Sequence, residues 1–337
     1  MKVASIFLLV VLASAPGASG DTLLVANKSD ATVDLLEPAS GEKRATLPTG
    51  EFPHEIAVSP DGATAVVTNY GDRERPGSSL TVVDVSGAAV TRTIELGEHT
   101  RPHGLAWLSD RSLVVTTEGS KHLLVVEIDT GEVRAAIETA QDISHMVAAT
   151  GGRAFVANIG SGTVTVIDIE RGEKLKDIAT GDGAEGIDIA PDGGEVWVTN
   201  RAADTLSVID PDTLEIVETV PCPGFPIRVR LTPDGSRVLV SAARSGEVVV
   251  FDRATREELA RSQLDLSTVE GYEERLFGDR FGDSPVPVGL VVSPDGRTAW
   301  VAATQADTVV SVSTVDLEVT GLLQAGREPD GMAWSPR

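Results

Sequence analysis

The chain of 337 residues holds one cysteine, two tyrosines and four tryptophans, and aromatic residues make up only 4% of it. Cys222 has no second cysteine to pair with, so no internal disulfide holds the fold. It stands between two prolines in PCPGFP, where it can pair between molecules, ligate a metal or sit as a small, half-buried residue. There is no CxxCH, which excludes covalently attached haem on motif grounds. The absence of GxSxG and of a Ser-His-Asp arrangement argues against acyl-enzyme chemistry, and no HExxH is present. Basic residues are also scarce. Lys and Arg number 28 against 51 Asp and Glu, for a net charge of −23. Such a surface repels phosphate backbones and anionic lipid, which excludes nucleic acid as a partner and leaves solubility, cations or a basic protein partner as its uses.

Only residues 3–13 form a long apolar run, too short to cross a membrane as a helix. Lys2 precedes it, and Ala18-Ser19-Gly20 follows ahead of Asp21, the layout of a secretory signal with small residues before the cut. Residues 1–20 are therefore expected to be removed, leaving a periplasmic or extracellular protein with no membrane insertion.

What the chain has in plenty is itself. A unit of about 42 residues, EGIDIAPDGGEVWVTNRAADTLSVIDPDTLEIVETV from Glu185, returns as HEIAVSPDGATAVVTN from His54, RVRLTPDGSRVLVSA from Arg228, GLVVSPDGRTAWVAA from Gly289 and GMAWSPR at the end. Such a unit is too small to bury its own apolar face and must stack on its neighbours. It divides into four short runs rich in Val, Ile and Thr, separated by turn sequences that leave no room for a helix, which is the pattern of a four-stranded propeller blade. Asp-Gly in each PDG supplies the positive-φ residue of a tight hairpin.

The second-strand ends Asn27, Asn69, Thr117, Asn158, Asn200, Ala242 and Ala303 count seven blades. The first unit starts at its second strand and the chain ends on an orphan first strand, so the termini are expected to share one blade and close the ring. The fold class is all-β, a single seven-bladed β-propeller over residues 21–337, expected to be a monomer. Insertions near 71–79 and 262–285 break the period, and the second carries Tyr272, Phe277 and Phe281, a composition suited to a lid.

VVTN ending at Asn69, WVTN ending at Asn200, FVAN ending at Asn158, and the following TLSVID and TVTVID resemble YVTN-type β-propeller repeats of secreted bacterial and archaeal proteins. Propeller lactonases, haem d1-binding propellers and quinoprotein amine dehydrogenase heavy chains are similar at the repeat level. The resemblance spans the mature chain and implies the fold; its shared motif is scaffold and carries no catalytic residue over.

Function must then lie in what differs between blades. Aligned on PDG, the turn leading into each innermost strand places His54, His103, His145, Glu185, Ile227, Val288 and Asp330 at one position around a channel mouth. All five histidines lie between positions 54 and 145, and His99 and His122 fall on the same face. Three imidazoles with Asp330 and Glu185 beside them make a candidate first shell for one transition-metal ion, with Glu185 as general base. Histidine there can also simply bond a neighbouring turn, at an exposed position. One layer deeper, Asp188 and Arg230 replace small residues and are expected to pair, while Arg228 is the expected anchor for a ligand carboxylate or phosphate.

Three readings follow: an exported scaffold binding a small ligand, a metal or a partner protein at the channel mouth; a metal-dependent enzyme using the three-histidine cluster; and a lactonase-like hydrolase in which His, Glu and Arg activate water.

Overall fold

A computed structural model describes residues 20–267, 269 and 278–337. The expected signal segment, apart from Gly20, and both Tyr272 and Phe277 lie outside the described residues. The described residues form 28 strands, β1 to β28 in chain order, arranged as seven antiparallel sheets of four. Six sheets take consecutive strands. The seventh runs β28 (Pro329–Ser335), β1 (Thr22–Asn27), β2 (Thr32–Leu36), β3 (Lys43–Pro48), so one blade is shared by the two ends of the chain. The ring closes as the sequence requires. Among the described residues no helix is long and apolar enough to cross a membrane.

The repeat words have local physical causes. Gly62, Gly193, Gly235 and Gly296 of the PDG turns sit at φ 75°, 73°, 68° and 71°, the left-handed conformation that costs glycine least. The asparagines ending second strands are buried ties: Asn69 Oδ1 accepts the Gly50 N–H at 2.9 Å and Asn27 Oδ1 that of Gly326 at 3.0 Å, each pinning the chain as it arrives from the preceding outer strand. Valines and isoleucines between these ties pack blade against blade. Trp197, Leu206 and Val208 of the fifth blade meet Val229, Val240 and Phe251 of the sixth in one cluster, with Cys222 fully buried among them. Burial pushes the Cys222 thiol up to about 12, which makes it a packing residue and not a reactive or metal-binding one.

One irregularity positions the site. The innermost strands β4 (Pro53–Val58), β8 (Pro102–Trp107), β12 (Ser144–Thr150), β16 (Ala184–Ile189), β20 (Pro226–Leu231), β24 (Pro287–Val292) and β28 all slip register against the second strand near one end, as between Pro53 and Ile56. A bulge re-aims a side chain and frees a backbone N–H. Hydroxyls of the second strand take up the freed donors: Thr68 accepts from Glu55, Thr116 from Gly104, Thr199 from Gly186 and Ser241 from Arg228, at 2.8–3.2 Å.

Candidate functional site at the channel mouth

Two residues before each re-aimed position the backbone turns left-handed. Phe52, Arg101, Ile143, Phe225, Val286 and Glu328 have φ of 48–66°, and Gly183 completes the set. Their carbonyls accept N–H bonds at 2.9–3.2 Å from Tyr70, Glu118, Ile159, Ala243, Thr304, Lys28 and Arg201, the residues just past the second-strand ends. Seven equivalent turns are thus laced together, and a cavity of 760 Å³ opens between them.

All seven positions aligned from the sequence line this cavity: His54, His103, His145, Glu185, Ile227, Val288 and Asp330. Six of the residues just past the second strands line it too, among them Lys28, Tyr70, Glu118 and Arg201. The 71–79 insertion is a long hairpin between β5 (Thr64–Gly71) and β6 (Pro76–Asp84) that brings Asp72 and Arg73 over the opening. Phe281, from the second insertion, lies 5.8 Å from the Phe225 ring and also lines the cavity. His99 and His122 pair with each other at the surface, ring centroids 5.1 Å apart, away from the cavity wall.

The histidine rings form a row. His54 and His103 are 5.0 Å apart by centroid, His103 and His145 3.6 Å, and Tyr70 lies 4.3 Å from His54. His103 and His145 are only 2% and 8% exposed, which corrects the expectation of exposed turn positions: the bulge tucks them into the channel. Burial pushes His54 down to about 4, and burial together with the neighbouring His145, His54 and Arg228 holds His103 well below the usual range. Both are neutral imidazoles at pH 7. His145 behaves oppositely. Burial alone would lower it, but Glu118 at 2.5 Å from Nδ1 and Glu185 at 3.4 Å from Nε2 raise it to about 9.

Glu185 sits where the sequence places it, with a different role. Burial would raise its pKa; the His145 imidazolium at 3.4 Å and the charges of Arg201 and Arg228 bring it down to about 2. So firmly ionised a carboxylate is a counter-ion, a poor general base near neutral pH. Asp330 is held below the carboxylate range despite burial, chiefly by Lys28 at 3.4 Å and by His54, and its Oδ1 has no hydrogen-bond partner. It belongs with Lys28 more than with the imidazoles. Arg228 is buried and ion-paired to both Glu55 and Glu185, so the anchor expected for a ligand anion is already committed within the protein. The expected Asp188–Arg230 pair does not close. Asp188 accepts the Leu231 N–H at 2.8 Å, burial raises its pKa, and Arg230 instead donates to the Ile187 and Val229 carbonyls. Neither residue lines the cavity.

The donors that do converge are His103, Glu118 and His145, with one ligand atom from each lying within 4.8 Å of the others. His103 Nδ1 and His145 Nε2 are buried without a hydrogen-bond partner; the 3.4 Å approach of Glu185 to Nε2 is an ion pair too misaligned to be a hydrogen bond. Orphaned buried nitrogens of this kind are costly unless something fills them. Two imidazoles and a carboxylate suit zinc, copper, iron or manganese. Glu118 also accepts the Tyr70 hydroxyl, whose ionisation burial pushes up to about 12.

A family model for YNCE-like beta-propellers matches residues 97–271, more than half of the chain. The chain belongs to the YNCE-like beta-propeller family. No curated protein matches it. Among solved structures, this YNCE-like propeller is similar to a functionally unknown protein from Desulfotomaculum acetoxidans DSM 771, with a TM-score of 0.76, 15% identity, and 93% of this chain and 98% of that one covered. It is also similar to hydrazine synthase from Kuenenia stuttgartiensis, with a TM-score of 0.67, 21% identity, and coverage of 82% and 87%. Both likenesses establish the propeller and leave chemistry to the residues at the mouth.

Proposed function

We propose that this YNCE-like propeller is an exported binding scaffold whose channel mouth holds one divalent transition-metal ion on His103, Glu118 and His145 and takes a small ligand in the cavity above it. The observation that carries the reading is the convergence of three donors within 4.8 Å, two of them buried imidazoles with a nitrogen that has no hydrogen-bond partner. His54, neutral, lies 5.0 Å from His103 by ring centroid, and a Glu185 oxygen lies 3.4 Å from His145 Nε2, so both stand beside the three donors. Zinc bonds to nitrogen and oxygen are about 2.0–2.2 Å long, so the donors close on an ion by side-chain adjustment, with release of the proton that His145 holds in the metal-free protein. Export rests on the layout of residues 1–20.

Elemental analysis of untagged protein purified without chelators tests this. About one equivalent of a transition metal is expected, lost in His103→Ala. Protein that is metal-free and ignores added zinc and copper would overturn the reading. A second reading, a lactonase-like hydrolase, is favoured by a neutral imidazole, His54, and a guanidinium, Arg201, among the groups that line the cavity: a proton acceptor for water and a group to polarise a ring ester. Hydrolysis of simple lactones by metal-free protein would support it over the first.

A further inference from the structure

We infer that the ligand admitted to this cavity is a small oxyanion, a carboxylate or phosphate group seated by Arg101 with Arg73; the inference rests on the metal-centre reading and extends it to a ligand class. The chain carries 51 acidic against 28 basic residues, yet the cavity wall reverses the balance, with Lys28, Arg73, Arg101, Arg201, Arg228 and Arg280 against five acids. Those acids are engaged. Asp330 pairs with Lys28, Glu185 with Arg201 and Arg228, and Glu118 with His145, while Asp72 accepts the N–H groups of Glu74 and Arg75 and Glu328 accepts the Ser29 hydroxyl.

Arg101 and Arg73 differ from the committed bases. Among the described residues no carboxylate stands at ion-pair distance from either. Arg101 is half-buried and held in place: its guanidinium lies 5.2 Å over the Tyr70 ring, one nitrogen donates to the Asp72 carbonyl at 3.1 Å, and its own carbonyl takes the Glu118 N–H at 3.0 Å. The same Tyr70 ring is 5.6 Å from His103. The guanidinium, held by the Asp72 carbonyl and by Tyr70, thus stands one ring away from the imidazole row, and its planar fork matches the two oxygens of a carboxylate or phosphate. Arg73, exposed on the long hairpin, adds a second positive charge over the opening. A divalent ion on the three donors would add further attraction for an anion. The acidic exterior excludes polyanions, so the oxyanion belongs to a small molecule.

Calorimetric titration of the full chain with succinate and with methyl phosphate, zinc-loaded and zinc-free, tests the inference. Saturable binding of at least one probe is expected, weakened about tenfold or more in Arg101→Gln and more mildly in Arg73→Gln, with zinc stoichiometry unchanged in the same samples. Because Arg73 is exposed, its substitution reports on binding even if the Arg101 variant folds poorly. Failure of both probes to bind zinc-loaded protein, or binding indifferent to both substitutions, overturns the oxyanion seat while leaving the metal centre standing. Arginine-dependent binding to a protein that takes up no zinc does the reverse.

Discussion

Arg228→Met should destabilise the protein in a way that depends on pH. Arg228 spans the channel between Glu185 and Glu55, and the loss of its charge falls unequally on the two. Glu185 keeps Arg201 and His145, whereas Glu55, 5% exposed, loses its one ion-pair partner among the described residues. Removing one member of a buried pair typically costs about 3–5 kcal/mol, because the charge left behind is uncompensated. The cost has a ceiling: a stranded glutamate escapes by binding a proton, which for a carboxyl of ordinary acidity costs about 3.7 kcal/mol at pH 7 and about 1.4 kcal/mol less for each unit below. In the variant the folded state then holds a proton that the unfolded state does not, so its stability falls as pH rises. Urea denaturation of wild type and variant at pH 5, 6 and 7 reads this as a widening gap, and Glu55→Leu with Arg228→Met should recover most of it. A gap independent of pH, or no recovery in the double variant, would refute the assignment of Glu55 as the stranded partner.

Gly289→Ala should lower the melting temperature by several degrees, since its Cβ would stand 1.9 Å from the Asp330 carbonyl of the next blade; an unchanged melt would show that the blades separate easily. Deleting the last seven residues removes most of β28 and should give an open, self-associating chain, checked by light scattering; a folded monomer contradicts the closure argument. In metal-free protein, His145 raised to about 9 stabilises the fold fully below about pH 6.5 and ceases to as pH climbs through 9, whereas Glu185 at about 2 contributes above 4.5 and stops only as pH falls through 2. Melts should therefore decline from pH 7 to 9.5, and His145→Gln should flatten that limb; identical profiles would dismiss the pairing. His103→Ala, 2% exposed in the wild type, should also lose a few degrees of apo stability.

The propeller was legible because its period is written seven times and each turn word has a backbone task. The ring from His54 to Asp330 was legible for the same reason, a fixed offset from PDG. Glu118 and Tyr70 escaped although a signal existed: each follows a second-strand end, the very residues used to count blades, and one step further along each repeat gives the second ring of the cavity. Glu55 gave no such sign, because its importance depends on Arg228, 173 residues away and brought near only by ring closure. The Asp188–Arg230 pairing failed for a related reason. Adjacency of strands fixes neighbouring backbones and not side-chain partners: the Leu231 N–H binds the Asp188 carboxylate, while the Arg230 guanidinium donates to backbone carbonyls.

Ring closure also governs when the mouth comes into being. The Thr22 hydroxyl binds the Arg337 carbonyl across 315 residues, and Asp330, one of the seven cavity positions, lies on the strand that completes the first blade. A chain still being synthesised can stack its middle blades through local hairpins, but it has no finished mouth until β28 has emerged and paired with β1. Assembly of the mouth is thereby tied to β28, so the fold inspects its own closure: a chain that lacks this strand leaves the edge of β1 unpaired and open to proteolysis, and one of the seven cavity positions missing.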